Sequence, residues 1–299
     1  MVEFNTLVKA NAFAVIFHTV NAVAQTYLSN KSAKWEYPVT ITEVDEDYDV
    51  TKEVLSDDPR IARARIQKVI TKERTITKIP LGYAQLSFTV ICALAHIVFL
   101  SLSIGGESSI YYSWIYDNQI NYLRWFEYFF SSAIMMTNIA GLTGIKDVWH
   151  LLAVFVLTAV TNLFGLMVER TESTFRSILL FCLGFLPFVI PWLQINDKFN
   201  DNLSLFDKIR PLIKTKDGEE SKFEIPSFVK YLIPIMLSIY LIFPVIQISQ
   251  ITNLIKYETG ELYFIMASLI AKTVLSWMVF GGAFRNDPPE YLEKDEKNT

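Results

Sequence analysis

The chain has few of the residues that would mark it as a small secreted or metal-holding protein. Its 299 residues include only two cysteines, Cys92 and Cys182, far apart and each inside an apolar run. Two such thiols give no disulfide framework and no zinc spacing. No metal site is expected. Net charge is −4, so no basic surface argues for nucleic acid. No glycine-rich phosphate loop and no nucleophile–base–acid set is visible, so an enzyme is not expected. The first apolar run, Val8–Leu28, carries Asn, His and Gln, unlike the core of a cleavable signal peptide.

What the chain has in excess is apolar sequence, 52% of all residues. Such an excess is hard to bury in a soluble core but ordinary in a multi-span membrane protein. A spanning helix needs about 20 mostly apolar residues. Seven runs qualify: 8–28, 81–102, 120–142, 148–168, 176–195, 227–250 and 261–281. Helices or closed barrels alone can span, and continuous runs of this length are helical. The expected architecture is an all-α membrane protein, a single domain over 1–299 built as a seven-helix bundle.

Two connecting segments are long, 31–78 and 196–226. In the first, YPVTITEV alternates as a strand does, and DDPR at 57–60 reads as a helix start with Asp58 as N-cap and Pro59 at the first position. The segment reads as a partly structured cap or a surface-binding element. The second, containing KTKDGEESK, reads as a loop, mobile in part. Most lysines and arginines lie in these two segments. Lys9, Arg170, Arg176 and Lys256 lie on the opposite side. By the positive-inside rule this count puts the N-terminus outside.

Polar residues inside spans usually face the bundle interior and mark function. The seventh run holds Lys272, with Ser268 four residues earlier on the same face. A lysine at mid-membrane costs roughly 2.5–3.5 kcal/mol on insertion scales. The third run holds Arg124, Glu127, Ser131 and Asn138 as one stripe. Glu127 is the one carboxylate well inside any run, so Lys272 and Glu127 should pair. The first run carries Asn11, His18 and Gln25 seven apart, with Asn21 beside them, and the second carries Cys92 and His96. The two histidines are either structural or part of a polar pocket. Trp192, Tyr240, Phe243 and Trp277 are either core aromatics or the wall of a slot for a long apolar ligand. Pro234 and Pro244 should bend the sixth helix and open room there.

A desolvated lysine amine condenses with an aldehyde to an imine. If a conjugated polyene carries the aldehyde, the protonated imine absorbs visible light and needs a counterion, which Glu127 would supply. Arg124, one turn away, should help to keep that carboxylate ionised.

RWFEY at 124–128 followed by SSAIM, SLIAK at 268–272 followed by LSW and FGGA, and His18 and His96 resemble the heliorhodopsins, within the microbial-type rhodopsins. The resemblance covers most of the membrane part and neither long segment. It implies all-trans retinal on Lys272 with Glu127 as sole counterion. Arg124, Ser131, Asn162, Tyr240, Phe243, Ser268 and Trp277 would surround it, and His18, His96 and Cys92 would form a proton-accepting region. Cys92 stands where such proteins often carry serine. The resemblance also implies a cytoplasmic N-terminus, against the charge count, and a homodimer in the lipid bilayer. An outward proton pump would carry a carboxylate at Asn138 and a second one at Ser268. Both are absent, so light sensing through an unidentified signalling partner is the expected function. Light-gated proton or ion conduction, along the polar stripes and Glu169, is the first alternative. A pigment-free transporter or scaffold with a plain Lys272–Glu127 salt bridge is the second.

Overall fold

The computed structural model describes residues 3–31, 36–44, 71–209 and 227–285. Its elements are α1 (Phe4–Lys31), β1 (Glu36–Val44), β2 (Thr71–Pro80), α2 (Leu81–Leu102), α3 (Tyr122–Leu142), α4 (Val148–Glu169), α5 (Thr174–Ile209), α6 (Ser227–Tyr240), α7 (Ile242–Ile251) and α8 (Tyr257–Arg285). Each helix from α1 to α5 packs against the next, except where the hairpin intervenes between α1 and α2, which still pack directly. α8 packs on α6 and α7 and closes the ring against α1 and α2. With α6 and α7 counted as one span, this is the expected seven-helix bundle.

Six of these spans are long and apolar enough to cross a membrane by length and composition. The seventh, α3, is as long but carries the ionisable stripe. Burial is inverted relative to a soluble helix. On α1, Phe13, Ile16, Val20 and Val23 are exposed while Asn11, His18, Asn21 and Gln25 are buried. Lipid solvates the apolar outer face, so the polar residues collect inside, where they find partners.

The sixth span breaks at Leu241, between α6 and α7. Pro244 has no N–H to give the carbonyl four residues back, that of Tyr240, which frees the chain to turn there. Pro234 lies inside α6 without ending it.

Two features depart from the sequence expectation. Residues 196–209 belong to α5 rather than to a loop. Their mixed charge hides an inward stripe of Ile195, Phe199 and Leu203 at helical spacing, and Asn202 Nδ2 donates to Thr143 O at 2.7 Å. The expected strand is β1, and its partner β2 comes from the basic end of the segment. The short helix expected after Asp58 lies outside the described residues.

The hairpin is antiparallel, from Glu36 opposite Pro80 to Val44 opposite Thr71, with a bulge between Val39 and Thr40. The extra residue of the bulge is Ile76 of β2, which is left without a partner on β1, and Val39 and Thr40 are both buried. Thr40 N donates to Lys146 O at 2.9 Å, which ties β1 to the α3–α4 turn. Tyr37 enters the bundle and its hydroxyl donates to Asn138 Oδ1 at 3.2 Å. Burial pushes that phenol up to about 12. The ring lies where a Cβ on Gly141 would be, 2.6 Å from the nearest ring atom, so glycine is required at this contact.

Candidate functional site

The site is built where α3 and α8 face each other. Lys272 lies near the middle of α8 and is 4% exposed. Its Nζ is 3.1 Å from Glu127 Oε1 and also donates to Ser268 Oγ, one turn earlier. From α2, the Cys92 thiol donates to the same Glu127 oxygen at 2.7 Å. A buried cation, a buried anion and two neutral hydrogen-bonding groups thus meet in one place. Removing either charge would strand the other, at a cost of roughly 3–5 kcal/mol.

On one side of this pair lies a cavity of about 100 Å³. Trp125, Tyr128, Phe188, Tyr240, Phe243 and Phe264 supply its aromatic wall, and Ser131, Asn162, Ser268 and Lys272 also line it. Lys272 Nζ sits 5.2 Å above the Tyr128 ring. Gly165 lies against the Trp125 ring, and a Cβ there would overlap it. Asn162 Nδ2 donates to Ser132 Oγ at 2.8 Å and to Thr158 O at 2.9 Å, which fixes its amide. The Tyr240 hydroxyl is buried on the wall with no hydrogen-bond partner among the described residues.

On the other side lies a smaller polar cavity of about 10 Å³. It is lined by Asn11, His96, Tyr111, Arg124, Glu127 and Glu261, among others. His18 stacks on His96 with ring centroids 5.7 Å apart and planes 14° apart. The two histidines of the polar stripes therefore do meet.

Two expected site residues stand elsewhere. Arg124 does not reach Glu127. Its guanidinium pairs with Glu169 of α4 and Glu261 of α8, between the rings of Trp125 at 4.7 Å and Phe264 at 4.2 Å. The reason is directional. Helical side chains lean toward the helix N-terminus, so Arg124, in the first turn of α3, points away from Glu127 in the next. Trp277 is half exposed, and its Nε1 donates to Asn21 Oδ1 at 3.1 Å instead of lining the cavity. Five residues beyond Lys272 place it about 140° around the helix. Trp192 is buried behind the wall, its ring edge-on to Tyr240 at 5.3 Å.

Sequence reasoning named Glu169 but missed that it and Glu261 hold Arg124, and it also missed Asn121. Asn121 caps α3 by accepting from Arg124 N at 2.9 Å, and its Nδ2 donates to Glu261 Oε2 at 2.7 Å. A signal existed: Glu261, Ser268 and Lys272 are spaced seven and four, one stripe of α8.

A buried lysine paired with a carboxylate thus stands at the wall of an aromatic slot inside seven helices. The heliorhodopsin family model matches residues 7–284. The chain is a member of the heliorhodopsin family. Solved structures with the same fold include a thermophilic rhodopsin from Rubrobacter xylanophilus, at TM-score 0.59 and 11% identity, covering 93% of this chain and 96% of that one. The transmembrane domain of the rhodopsin phosphodiesterase of Salpingoeca rosetta matches at TM-score 0.52 and 11% identity, covering 96% and 91%. No curated protein sequence matches. As a heliorhodopsin, the chain is an integral, multi-pass membrane protein of the rhodopsin-type photoreceptors.

Proposed function

We propose that this heliorhodopsin is a light sensor that holds all-trans retinal on Lys272, with Glu127 as sole counterion, and that it does not pump ions efficiently. The observation that carries the reading is the buried Lys272–Glu127 pair, 3.1 Å apart, at the wall of an aromatic cavity. The residues fit the group. The amine is desolvated, the wall is apolar, and Tyr240 offers an unpartnered hydroxyl. Bound there, retinal supplies a visible chromophore, its aldehyde carbon joined to Nζ with loss of one water. The chain's part is to hold the charge. Glu127 balances the cation in low dielectric, while Cys92 and Ser268 orient the two partners.

The absence of a relay supports sensing over pumping. Asn138 is buried and committed: it accepts from Tyr37 and its Nδ2 donates to Ala84 O at 3.0 Å. An amide so placed has no proton to give. Ser268 stands where a second counterion would be needed. A membrane orientation with the N-terminus in the cytoplasm, assembly as a homodimer and a signalling partner outside the bundle complete the reading.

The test is colour. Expressed with all-trans retinal, the protein should show a visible band that Lys272→Ala abolishes. A colourless protein, or a band that survives the substitution, overturns the assignment. Vigorous light-driven transport in proteoliposomes would sink the sensor reading. Photocurrents that reverse sign with the driving force would favour conduction instead. The polar cavity beside Glu127 is the observation on which that second reading rests.

A further inference from the structure

The α2–α3 connection, 103–121, has two faces with different neighbours. One face turns inward. Tyr111 is buried, lines the polar cavity and accepts a hydrogen bond from Asn11 Nδ2 at 3.3 Å. Ile115, four residues on, is buried as well. Phe4 of α1 packs against the rings of Tyr111, Tyr112 and Tyr116, with centroids 5.6, 5.2 and 5.6 Å away. The other face turns outward and is apolar. Ile104 is 79% exposed, Ile110 49% and Trp114 65%.

We propose that this connection is a cap seated in the membrane interface. Ile104, Ile110 and Trp114 lie between the lipid headgroups and the upper acyl chains, and this seat holds Tyr111 over the polar cavity. Neither half rests on the light-sensing reading.

The pattern of exposure selects lipid over a protein partner. Exposed apolar side chains run up α2 through Leu94, Ile97 and Val98 to Ile104, and they resume on α3 at Tyr122 and Phe126. The outward face of the connection is therefore continuous with two helix faces that already lie in lipid. The exposure also recurs around the bundle. At the same end, Phe175 at the start of α5 is 77% exposed and Leu254 in the α7–α8 turn is 78% exposed. A protein docked on one flank would cover one of these turns, whereas a bilayer surface meets all three.

The connection is built for that depth. Gly106–Ser108 forms a 3₁₀ turn and Tyr112–Asp117 a π-helical one, which satisfy backbone groups locally where water is scarce. Tryptophan suits a place that is apolar on one side and wet on the other. Residues 103–121 include no lysine or arginine, and the two acids, Glu107 and Asp117, are exposed. The seat is thus apolar burial rather than attraction to anionic lipid.

The experiment uses the full chain in phosphatidylcholine nanodiscs, without retinal because the pigment would quench tryptophan. The chain has six tryptophans, so the difference between wild type and Trp114→Phe isolates the Trp114 emission. Lipid brominated near the top of the acyl chain should quench it, more than lipid brominated near the chain end, and aqueous iodide should not. Quenching by iodide but not by brominated lipid overturns the proposal. Shielding from both also overturns it, because a protein surface such as a second copy would then cover the connection. Hydrogen exchange reads the cap. In the double variant Ile110→Ser, Trp114→Ser, the amides of 109–116 should exchange at least about tenfold faster than in wild type, the effect of losing part of one buried apolar side chain. Those of Trp114→Phe, which keeps an apolar ring, should exchange as in wild type. Unchanged exchange in the double variant overturns the cap. If that variant does not fold, Trp114→Ser alone decides the cap, and wild-type quenching decides the seat.

Discussion

Two buried ion clusters lie one turn apart on α3, and they are built differently. Arg124 is gripped by two carboxylates from two other helices, and both carboxylates take a further hydrogen bond from Asn121. Its flat guanidinium is also sandwiched between two rings. Nothing in that cluster can move without stranding a charge. Glu127 and Lys272, by contrast, share one ion pair supported by a thiol and a hydroxyl, with a cavity on each side. The first cluster clamps α3, α4 and α8 together. The second places Lys272 on the wall of the aromatic cavity. Both clusters touch the small polar cavity, but of their charged side chains only Lys272 lines the aromatic one, so burial and pairing alone do not mark the candidate site.

The sharpest way to break that comparison is Arg124→Leu. It leaves Glu169 and Glu261 buried without their cation and should cost roughly 3–5 kcal/mol. The protein should unfold at markedly lower temperature in lipid nanodiscs, while whatever folds keeps its band position. A large colour shift with little loss of stability would show that Arg124 acts on the chromophore after all. Glu127→Gln should act on the chromophore as well as on stability. It should move the absorption to longer wavelength and abolish the acid-induced red shift of the parent protein, and stranding the buried Lys272 should cost a similar roughly 3–5 kcal/mol. An unchanged spectrum would remove Glu127 as counterion.

Next in size is Tyr37→Phe. It deletes the hydrogen bond to Asn138 and leaves the ring packed over Gly141. One such bond contributes about 1 kcal/mol. Denaturation in nanodiscs should show that loss with no spectral change, because Tyr37 lines neither cavity. A spectral or photocycle effect would mean that the hairpin reads the state of α3.

Much of this was legible in sequence because it rests on run length and helical spacing. Seven apolar runs gave seven spans, and the stripes on α1, α2, α3 and α8 did converge. What was not legible depended on direction and partners. The tilt of helical side chains turns Arg124 from Glu127, and its true partners sit at the far ends of α4 and α8. Trp277 shares a helix with Lys272 but not a face. The end of α5 reads as polar because its buried stripe is diluted by solvent-facing charge. β2 could not be found from TKERTITKIP alone, because its pairing with β1 supplies the order that its charge denies.

A third ion pair completes the scale. On the hairpin, Arg74 donates to Glu43 Oε1 through Nε at 2.8 Å and Nη2 at 2.5 Å, in contact with solvent. The Arg74 hydrogen bond holds the Glu43 carboxyl below its ordinary value of 4.5. A carboxyl whose folded value is depressed adds stability that is present above 4.5 and is lost as the pH falls below it toward the folded value. Water screens this pair, however, where lipid and protein shield the other two. Glu43→Gln should therefore leave the unfolding temperature at pH 7 unchanged within error, and raising salt should not alter the comparison. If it fell measurably, or if the fall vanished below pH 4, the hairpin pair would belong with the clamp rather than with the solvated surface.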